Sequence, residues 1–342
     1  MKKNKKQPKV IWLFSWCGGL DLWFHQAWFN IIYANDNAPS VKETYQKNLW
    51  PIDIRDIREI EKNSLPEVDI ILAGIPCQPF STAWDRKGMQ DIRWTLFTEV
   101  IEILHIKKPK IVIFENVRWF LSAKDDNWKR MPERMSEDLK KAWYILHYKL
   151  LNASDYGVPQ NRHRVFMVGI REDIEKWFNF PEPIIDKSWL VVWNVLNKAL
   201  PKDEEQEVWW LSPSSINIIK HIPPWWSWKN VPDNELPERM MKIRQDMKRY
   251  HSPNFYRRFN LNEIMWTVTA AATPENSWIL HPLENRRYSV REIARFQSFP
   301  DTFKFVGTTV SMKYKMIWNA VPVWLAKAVA DEILKQYFNE SI

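Results

Sequence analysis

The chain has 342 residues, 45% of them hydrophobic, with a formal net charge of +8 and a pI of about 9.2. That length and apolar content suit one large domain and a smaller one, and the positive balance favours a polyanionic partner. Two cysteines without metal-ligand spacing argue against a disulfide framework or a zinc site and fit a reducing compartment; no apolar run reaches the ~20 residues of a membrane span.

The lysine-rich start reads as a solvated basic tail. Ile11 to Ser15 follows as a short strand, then the turn Trp16-Cys17-Gly18-Gly19, then Leu20, Leu22, Phe24 and Ala27 at helical spacing. Strand, glycine turn and helix is the layout of a nucleotide-cofactor site, although the G-x-G-x-x-G pattern is absent. Ile31 to Ala34 is a second strand, followed by Asp36. An acid there suits ribose hydroxyls or, equally, caps a helix starting near Pro39. Ile70 to Ala73 reads as a buried parallel strand, stopped by Pro76-Cys77-Gln78-Pro79. A lone cysteine is by default a small buried hydrophobe. Cys77, beyond the apolar run in a stiff polar loop at the carboxyl end of a strand, reads instead as a nucleophile. The charged stretch Thr82 to Arg93 has the length of a functional lid.

Thr95 to Ile106 has helical spacing, and Lys110 to Phe114 is a further parallel strand ending in Glu115-Asn116-Val117. Glu115 either caps a helix or serves as a general acid. Met131 to Ala142 reads as helix; Tyr144 to Leu151 and Arg164 to Ile170 read as strands. Arg162 and Arg164 share a face of an extended segment, suited to a phosphate or carbonyl oxygen or forming a solvated basic edge. From Glu172 to Leu280 prolines crowd in and periodicity fades, which predicts an irregular second domain. Its arginines and lysines, among them Arg257 and Arg258, interleave with aromatics as on a nucleic-acid surface, or as a solvated face. Ser289 and Glu292 form a capping box opening a helix, and an amphipathic helix after Pro322 closes the chain.

Taken together, these segments resemble the cytosine-5 DNA methyltransferase family, in the family's motif order along nearly the whole chain. Phe14-Ser15-Trp16-Cys17-Gly18-Gly19 is similar to its cofactor motif, Pro76-Cys77-Gln78 to its nucleophile motif and Glu115-Asn116-Val117 to its acid motif. Gln160-x-Arg162-x-Arg164 is similar to its arginine motif, Arg291-Glu292 with Gln297-Ser298-Phe299-Pro300 to its ninth, and Asn319-Ala320-Val321-Pro322 to its tenth. The resemblance implies an α/β fold of the S-adenosylmethionine-dependent methyltransferase (Rossmann-like) type: a mostly parallel sheet with helices on both faces, plus a smaller irregular target-recognition domain. The expected divisions are 1–171 for the catalytic domain, 172–281 for recognition, and 282–342 for the return to the catalytic domain.

The implied reaction transfers methyl from S-adenosyl-L-methionine to carbon 5 of a flipped-out cytosine in double-stranded DNA. Cys77 would attack carbon 6, Glu115 with a raised pKa would protonate ring nitrogen 3, Arg162 would contact the base carbonyl and Arg164 would support it. The cofactor would rest on Phe14, Cys17, Gly18, Gly19, Asp36, Asp56, Ile57, Pro76, Leu96, Asn319 and Val321. DNA contacts are expected from Gln78, Ser81, Arg86, Lys87, Arg93, Gln160, Arg257, Arg258 and Thr267. The setting implied is a prokaryotic restriction-modification system, with a cytoplasmic, nucleoid-associated monomer that needs no metal and no membrane. An RNA cytosine-5 methyltransferase and an inactive DNA-binding relative are the alternatives.

The chain departs from that family in one direction. It has 22 Trp and only 7 Gly, where ordinary usage gives roughly 24 Gly. Trp stands at family glycines at 16, 28, 84, 94, 119, 225, 226 and 318, and also at 23 and 143. Each bulky replacement of that kind costs about 1–3 kcal/mol, more at positive φ. A gene whose UGA codons mean glycine in its own cell, read instead as tryptophan, produces this pattern; the competing reading is a decayed, inactive protein. Trp177 and Trp228 fit as genuine tryptophans.

Overall fold

The computed structural model describes residues 6–75, 92–125, 127–201, 207–208, 210–245, 256–267 and 279–338, without the side chains of 23, 26, 92–94, 239 and 243. The elements run β1 (Lys9–Leu13), α1 (Asp21–Gln26), β2 (Asn30–Asn35), α2 (Lys42–Asn48), β3 (Ile70–Ala73), α3 (Ile92–Lys107), β4 (Ile111–Val117), α4 (Met131–Lys141), β5 (Tyr144–Asn152), β6 (Gln160–Asn161) and β7 (His163–Arg171). There follow α5 (Val192–Leu196), α6 (Pro213–Lys220), α7 (Glu238–Gln245), β8 (Arg257–Arg258), β9 (Met265–Trp266), β10 (Ile279–Leu280), α8 (Val290–Phe296), α9 (Val310–Asn319) and α10 (Val323–Ile333).

The apolar runs pair into a six-stranded sheet of order β2-β1-β3-β4-β7-β5. Strands β2, β1, β3 and β4 are parallel, and β7 runs antiparallel to both β4 and β5. Strand alternation divides the side chains between two faces. Ile11, Leu13, Ile71, Ala73, Val112 and Phe114 join one cluster with Phe97, Val100 and Leu104 of α3 and Met135 and Leu139 of α4. Trp12 points the other way, edge-on to Phe24 of α1 at 6.2 Å, and α10 packs on α1. Helices therefore cover both faces. The register sets Leu13 beside Asn35 and Ala73, and Ala73 beside Phe114. Four parallel strands thus deliver their carboxyl ends to one edge, where open α/β sheets place their ligands.

The chain forms two compact units. One comprises 1–156, 163–183 and 321–342, and the other 157–162 and 184–320. This redraws the expected divisions: residues 282–320 belong to the second unit and the return comes at Val321. The reason is local bonding. Val290 N donates to Glu207 O at 2.9 Å, the Arg295 guanidinium donates to the carbonyls of Lys198 and Ala199 at 2.8 Å, and Lys313 pairs with Glu207. These bonds tie α8 and α9 to the segment near residue 200. The expected capping box is present: Ser289 Oγ accepts from Glu292 N at 3.2 Å and Glu292 Oε2 accepts from Ser289 N at 2.6 Å. Among the described residues no helix is long and apolar enough to cross a membrane.

Candidate active site

At the carboxyl edge of the first unit, β1 runs into Phe14, left-handed at φ +60°, and β2 runs into Asp36. Asp36 is buried, and its carboxyl accepts from Trp16 N and Ala38 N, both at 2.8 Å. It clasps the turn after β1, whereas the short helical turn at Pro39–Val41 has no side-chain cap. Burial pushes the Asp36 pKa up, and the two backbone donors pull it partly back. Each of its oxygens keeps acceptor capacity beyond the bond it makes. Gly18 lies inside the same turn at φ +85°; a Cβ there would come within 2.3 Å of Leu49 Cδ1, so only glycine fits. Cys17 is fully buried and desolvation drives its thiol pKa upward, so it is no nucleophile. Ile57 and Leu96 are buried nearby in the apolar cluster. Asp56 caps the turn Ile57–Glu59 and pairs with Arg58 at 2.7 Å.

Sequence reasoning missed two supports of this edge. The Asn35 side-chain amide donates to Asp53 O at 3.1 Å and Arg55 O at 2.8 Å, fixing the loop that carries Asp56. Asp21, fully buried at the start of α1, lies close enough to the buried Tyr45 for the two to interact electrostatically, and burial drives both pKa values up. The signal available was an acid two residues after Gly18-Gly19, opening a helix whose next residues are apolar.

Glu115 lies on β4, two residues before Val117, which pairs in register with Arg164 on β7. Arg164 Nε sits 2.8 Å from Glu115 Oε1, with both side chains largely buried at 9% and 14% exposure. Glu115 is thus an ion-paired strand residue; the 3₁₀ turn at Arg118–Leu121 has no side-chain cap. Arg162, two residues before Arg164, is fully buried in the second unit. Its guanidinium donates to the carbonyls of Trp318 and, at 3.3 Å, Ala320, and stacks 4.7 Å from the Trp318 ring. It holds the carboxyl end of α9, where Asn319 ends the helix; Val321 opens the returning segment, buried.

The arginine motif is therefore divided. Gln160, buried, pairs through β6 with β9, and Thr267 Oγ1 donates to Asn161 O at 2.7 Å, so 160–162 joins the second unit while Arg164 enters the main sheet. Arg258 does not face a nucleic acid. It is buried and donates to the carbonyls of Ile219, Ile222, His281 and Glu284 and to Asn285 Oδ1, at 2.5–3.1 Å. The irregular chain around it has few partners for its carbonyls, and the five-donor guanidinium supplies them. Arg257 lies over Trp266 at 4.2 Å and Phe259 at 4.6 Å and pairs with Glu263 at 3.1 Å. Pro76, Cys77, Gln78, Ser81, Arg86, Lys87 and the side chain of Arg93 lie outside the described residues. Among the described residues no group of acidic, His or Cys side chains could hold a metal ion.

A family model described as C-5 cytosine-specific DNA methylase matches residues 8–335. The chain is 38% identical over 346 residues to the type II methyltransferase M.FnuDI of Fusobacterium nucleatum, covering 95% of this chain and 94% of that protein. It is 33% identical over 344 residues to the type II methyltransferase M.NgoFVII of Neisseria gonorrhoeae, covering 96% and 88%. Among solved structures, a methyltransferase encoded within an E. coli prophage superposes with a TM-score of 0.69 at 22% identity, covering 98% of this chain and all of that one. The Dnmt2 methyltransferase of S. pombe superposes with a TM-score of 0.62 at 18% identity, covering 96% and 99%. These likenesses establish the fold.

Proposed function

The chain belongs to the C-5 cytosine-specific DNA methylase family, and on that premise we propose that it methylates DNA cytosine through a covalent Cys77 adduct, as the modifying partner of a type II restriction system. The observation that carries the reading is the Glu115–Arg164 ion pair at the edge where β3 and β4 end, three residues of chain before Pro76-Cys77.

S-adenosylmethionine supplies the methyl group when bound. The carboxyl edge fits it: an aromatic ring at Phe14, a buried carboxylate at Asp36 with spare acceptor capacity, and apolar Ile57 and Leu96 suit an adenosine. Asp36 would accept the ribose hydroxyls. On the cytosine, the Cys77 thiolate attacks carbon 6. Glu115 would first take up a proton from solvent, against the pull of Arg164, and deliver it to nitrogen 3, so that electron density moves to carbon 5. Arg164, already held by Glu115, would accompany that acid on the base carbonyl, the role expected of Arg162 from the sequence. Arg162 would act one step back, by holding the carbonyls of Trp318 and Ala320 at the end of α9. After methyl transfer solvent would take the carbon 5 proton, the Cys77–carbon 6 bond would break with the thiolate leaving, and nitrogen 3 would return its proton to Glu115, which restores the aromatic ring.

The test uses duplex DNA carrying 5-fluorocytosine. Fluorine cannot leave as the proton does, so the protein should become covalently attached in the presence of S-adenosylmethionine. Cys77→Ala should abolish both attachment and methyl transfer while retaining DNA binding. Undiminished transfer by Cys77→Ala would overturn the mechanism.

A further inference from the structure

Ten non-glycine residues are described at positive φ, and five of them are tryptophans: Trp16, Trp28, Trp128, Trp143 and Trp225, between +51° and +73°. A few per cent of non-glycine residues adopt this conformation, which gives about one among the chain's 22 tryptophans. Each of the five occupies a position that local hydrogen bonding reserves for glycine.

Trp28 follows α1. Its N–H donates to His25 O at 3.2 Å, and Phe29 N donates to Phe24 O at 2.9 Å. That is the double bond of a Schellman helix end, completed by the Phe24–Phe29 ring contact at 5.1 Å, and its left-handed residue is ordinarily glycine. Trp143 stands at the same place after α4, donating to Lys140 O at 3.0 Å. Trp225 follows Pro223-Pro224, and Trp226 N closes the turn on Pro223 O at 3.3 Å. Proline second and a positive φ third define a type II turn, which calls for glycine third. Trp128 N donates to Asp125 O at 3.0 Å and Asp125 N to Lys129 O at 2.9 Å, inside the bridge between Lys124 and Arg130, and the left-handed residue that ends such a loop is ordinarily glycine. Trp16 lies in the turn clasped by Asp36. The indoles gain little in return: those of Trp128, Trp143 and Trp225 are 78%, 69% and 53% exposed. Trp228 is the opposite case, 2% exposed inside an apolar cluster with Ile219, Val231 and Tyr256.

We propose that the working protein carries glycine at residues 16, 28, 128, 143 and 225, written in its gene as UGA codons that its own cell reads as glycine. Stereochemistry alone selects these five; Trp128 is among them although the family pattern does not single it out. Trp119, Trp226 and Trp318 have no positive φ, and their backbone makes no such demand. Residue 16 gives the proposal a functional consequence, because glycine there would leave the turn after β1 unstrained and open beside Asp36.

The test compares the chain as it stands with a variant carrying W16G, W28G, W128G, W143G and W225G, and with W228G. Thermal unfolding is followed for all three, and S-adenosylmethionine binding by calorimetry. The fivefold variant should melt at least about 10 °C higher and bind S-adenosylmethionine at least about tenfold tighter, while W228G should melt lower. A fivefold variant that melts at or below the parent overturns the proposal, as does a W228G protein that gains stability in the same way. Peptide masses of the protein purified from its own cell decide it where aggregation obscures melting: glycine at the five positions upholds it and tryptophan there overturns it. The binding measurement alone rests on the proposed cofactor site. A variant that melts higher yet does not bind S-adenosylmethionine upholds the five glycines and counts against that site.

Discussion

The two units hold their backbones together by different chemistry. In the first, six strands satisfy each other's amides and carbonyls, and its surface arginines are accessories: Arg55 and Arg58 pair with Asp53 and Asp56 while staying 61% and 45% exposed. In the second, where strands are two residues long, buried arginines do what a sheet ladder does elsewhere. Arg258 collects four carbonyls and an amide oxygen, Arg291 reaches Pro300 O and Phe303 O, and Arg295 reaches Lys198 O and Ala199 O. An irregular unit can thus satisfy buried carbonyls with side chains, and each guanidinium that does so is hard to replace. A basic, aromatic-rich stretch is therefore partly scaffold before it is a surface for DNA.

Breaking each unit at its own kind of joint separates chemistry from scaffold. Glu115→Gln keeps the shape of the strand side chain but cannot deliver a proton, and methyl transfer should fall by about 10²–10⁴-fold; the buried Arg164 also loses its charge partner, so the first unit should melt lower while the second keeps its resistance to proteolysis. Equal turnover in a radiolabelled methyl-transfer assay would remove Glu115 from the reaction. Arg258→Met should do the reverse, costing about 3–5 kcal/mol by stranding buried acceptors. Limited proteolysis should then cut the second unit first, while calorimetry still detects S-adenosylmethionine on the first. Arg258→Lys should not rescue it, since an ammonium cannot serve acceptors spread around a planar fork.

How much of this was legible in the sequence follows the same divide. The strands at Ile11, Ile70 and Lys110 announce themselves because a buried parallel strand must be apolar along its length. Glu115 is readable as the first polar residue past such a run, and Asp36 as the first acid past Ile31 to Ala34. Arg162 and Arg164 look alike in sequence, two residues apart; nothing local says that one enters the main sheet and the other holds the end of α9, because that choice rests on partners about 50 and 156 residues away. Arg258 beside Arg257 is the same problem. The surplus of tryptophan was visible in composition, but which indoles stand at glycine sites became visible only through φ.

A pH titration sharpens the comparison further. His281, 7% exposed in side chain, accepts the backbone N–H groups of Leu283 and Glu284 on Nδ1 at 3.3 and 3.1 Å, as only a neutral ring can. Burial, with Arg286 next, lowers its pKa to about 4, against the opposing pull of Glu292 and Glu284. The unfolded chain, near 6.5, binds a proton that the folded one refuses. Stability is complete above about pH 6.5 and is lost as pH falls toward 4. Between pH 7 and 5 the loss should be about 2 kcal/mol. His147 and His163 shift the same way in the first unit, so the measurement is the difference in urea unfolding between the protein and His281→Gln. Matching slopes would mean that His281 charges freely in the folded state.

The smallest expected effect belongs to the first unit's surface arginines. Arg55 donates to both Asp53 oxygens, and those bonds, led by the guanidinium, hold the Asp53 pKa down to about 2. The geometry is that of an anchoring pair beside the carboxyl edge of the sheet. Solvent screens it, however, and a long side chain loses freedom to make it. The Asn35 amide holds the same loop through the Asp53 and Arg55 carbonyls, which Arg55→Ala leaves in place. Arg55→Ala should therefore shift the melting midpoint by no more than about 2 °C at neutral pH. The shift should shrink further below pH 4, as Asp53 takes up a proton, and in high salt. A drop as large as that of Arg258→Met would show that both units depend on single guanidiniums, and the contrast between them would fail.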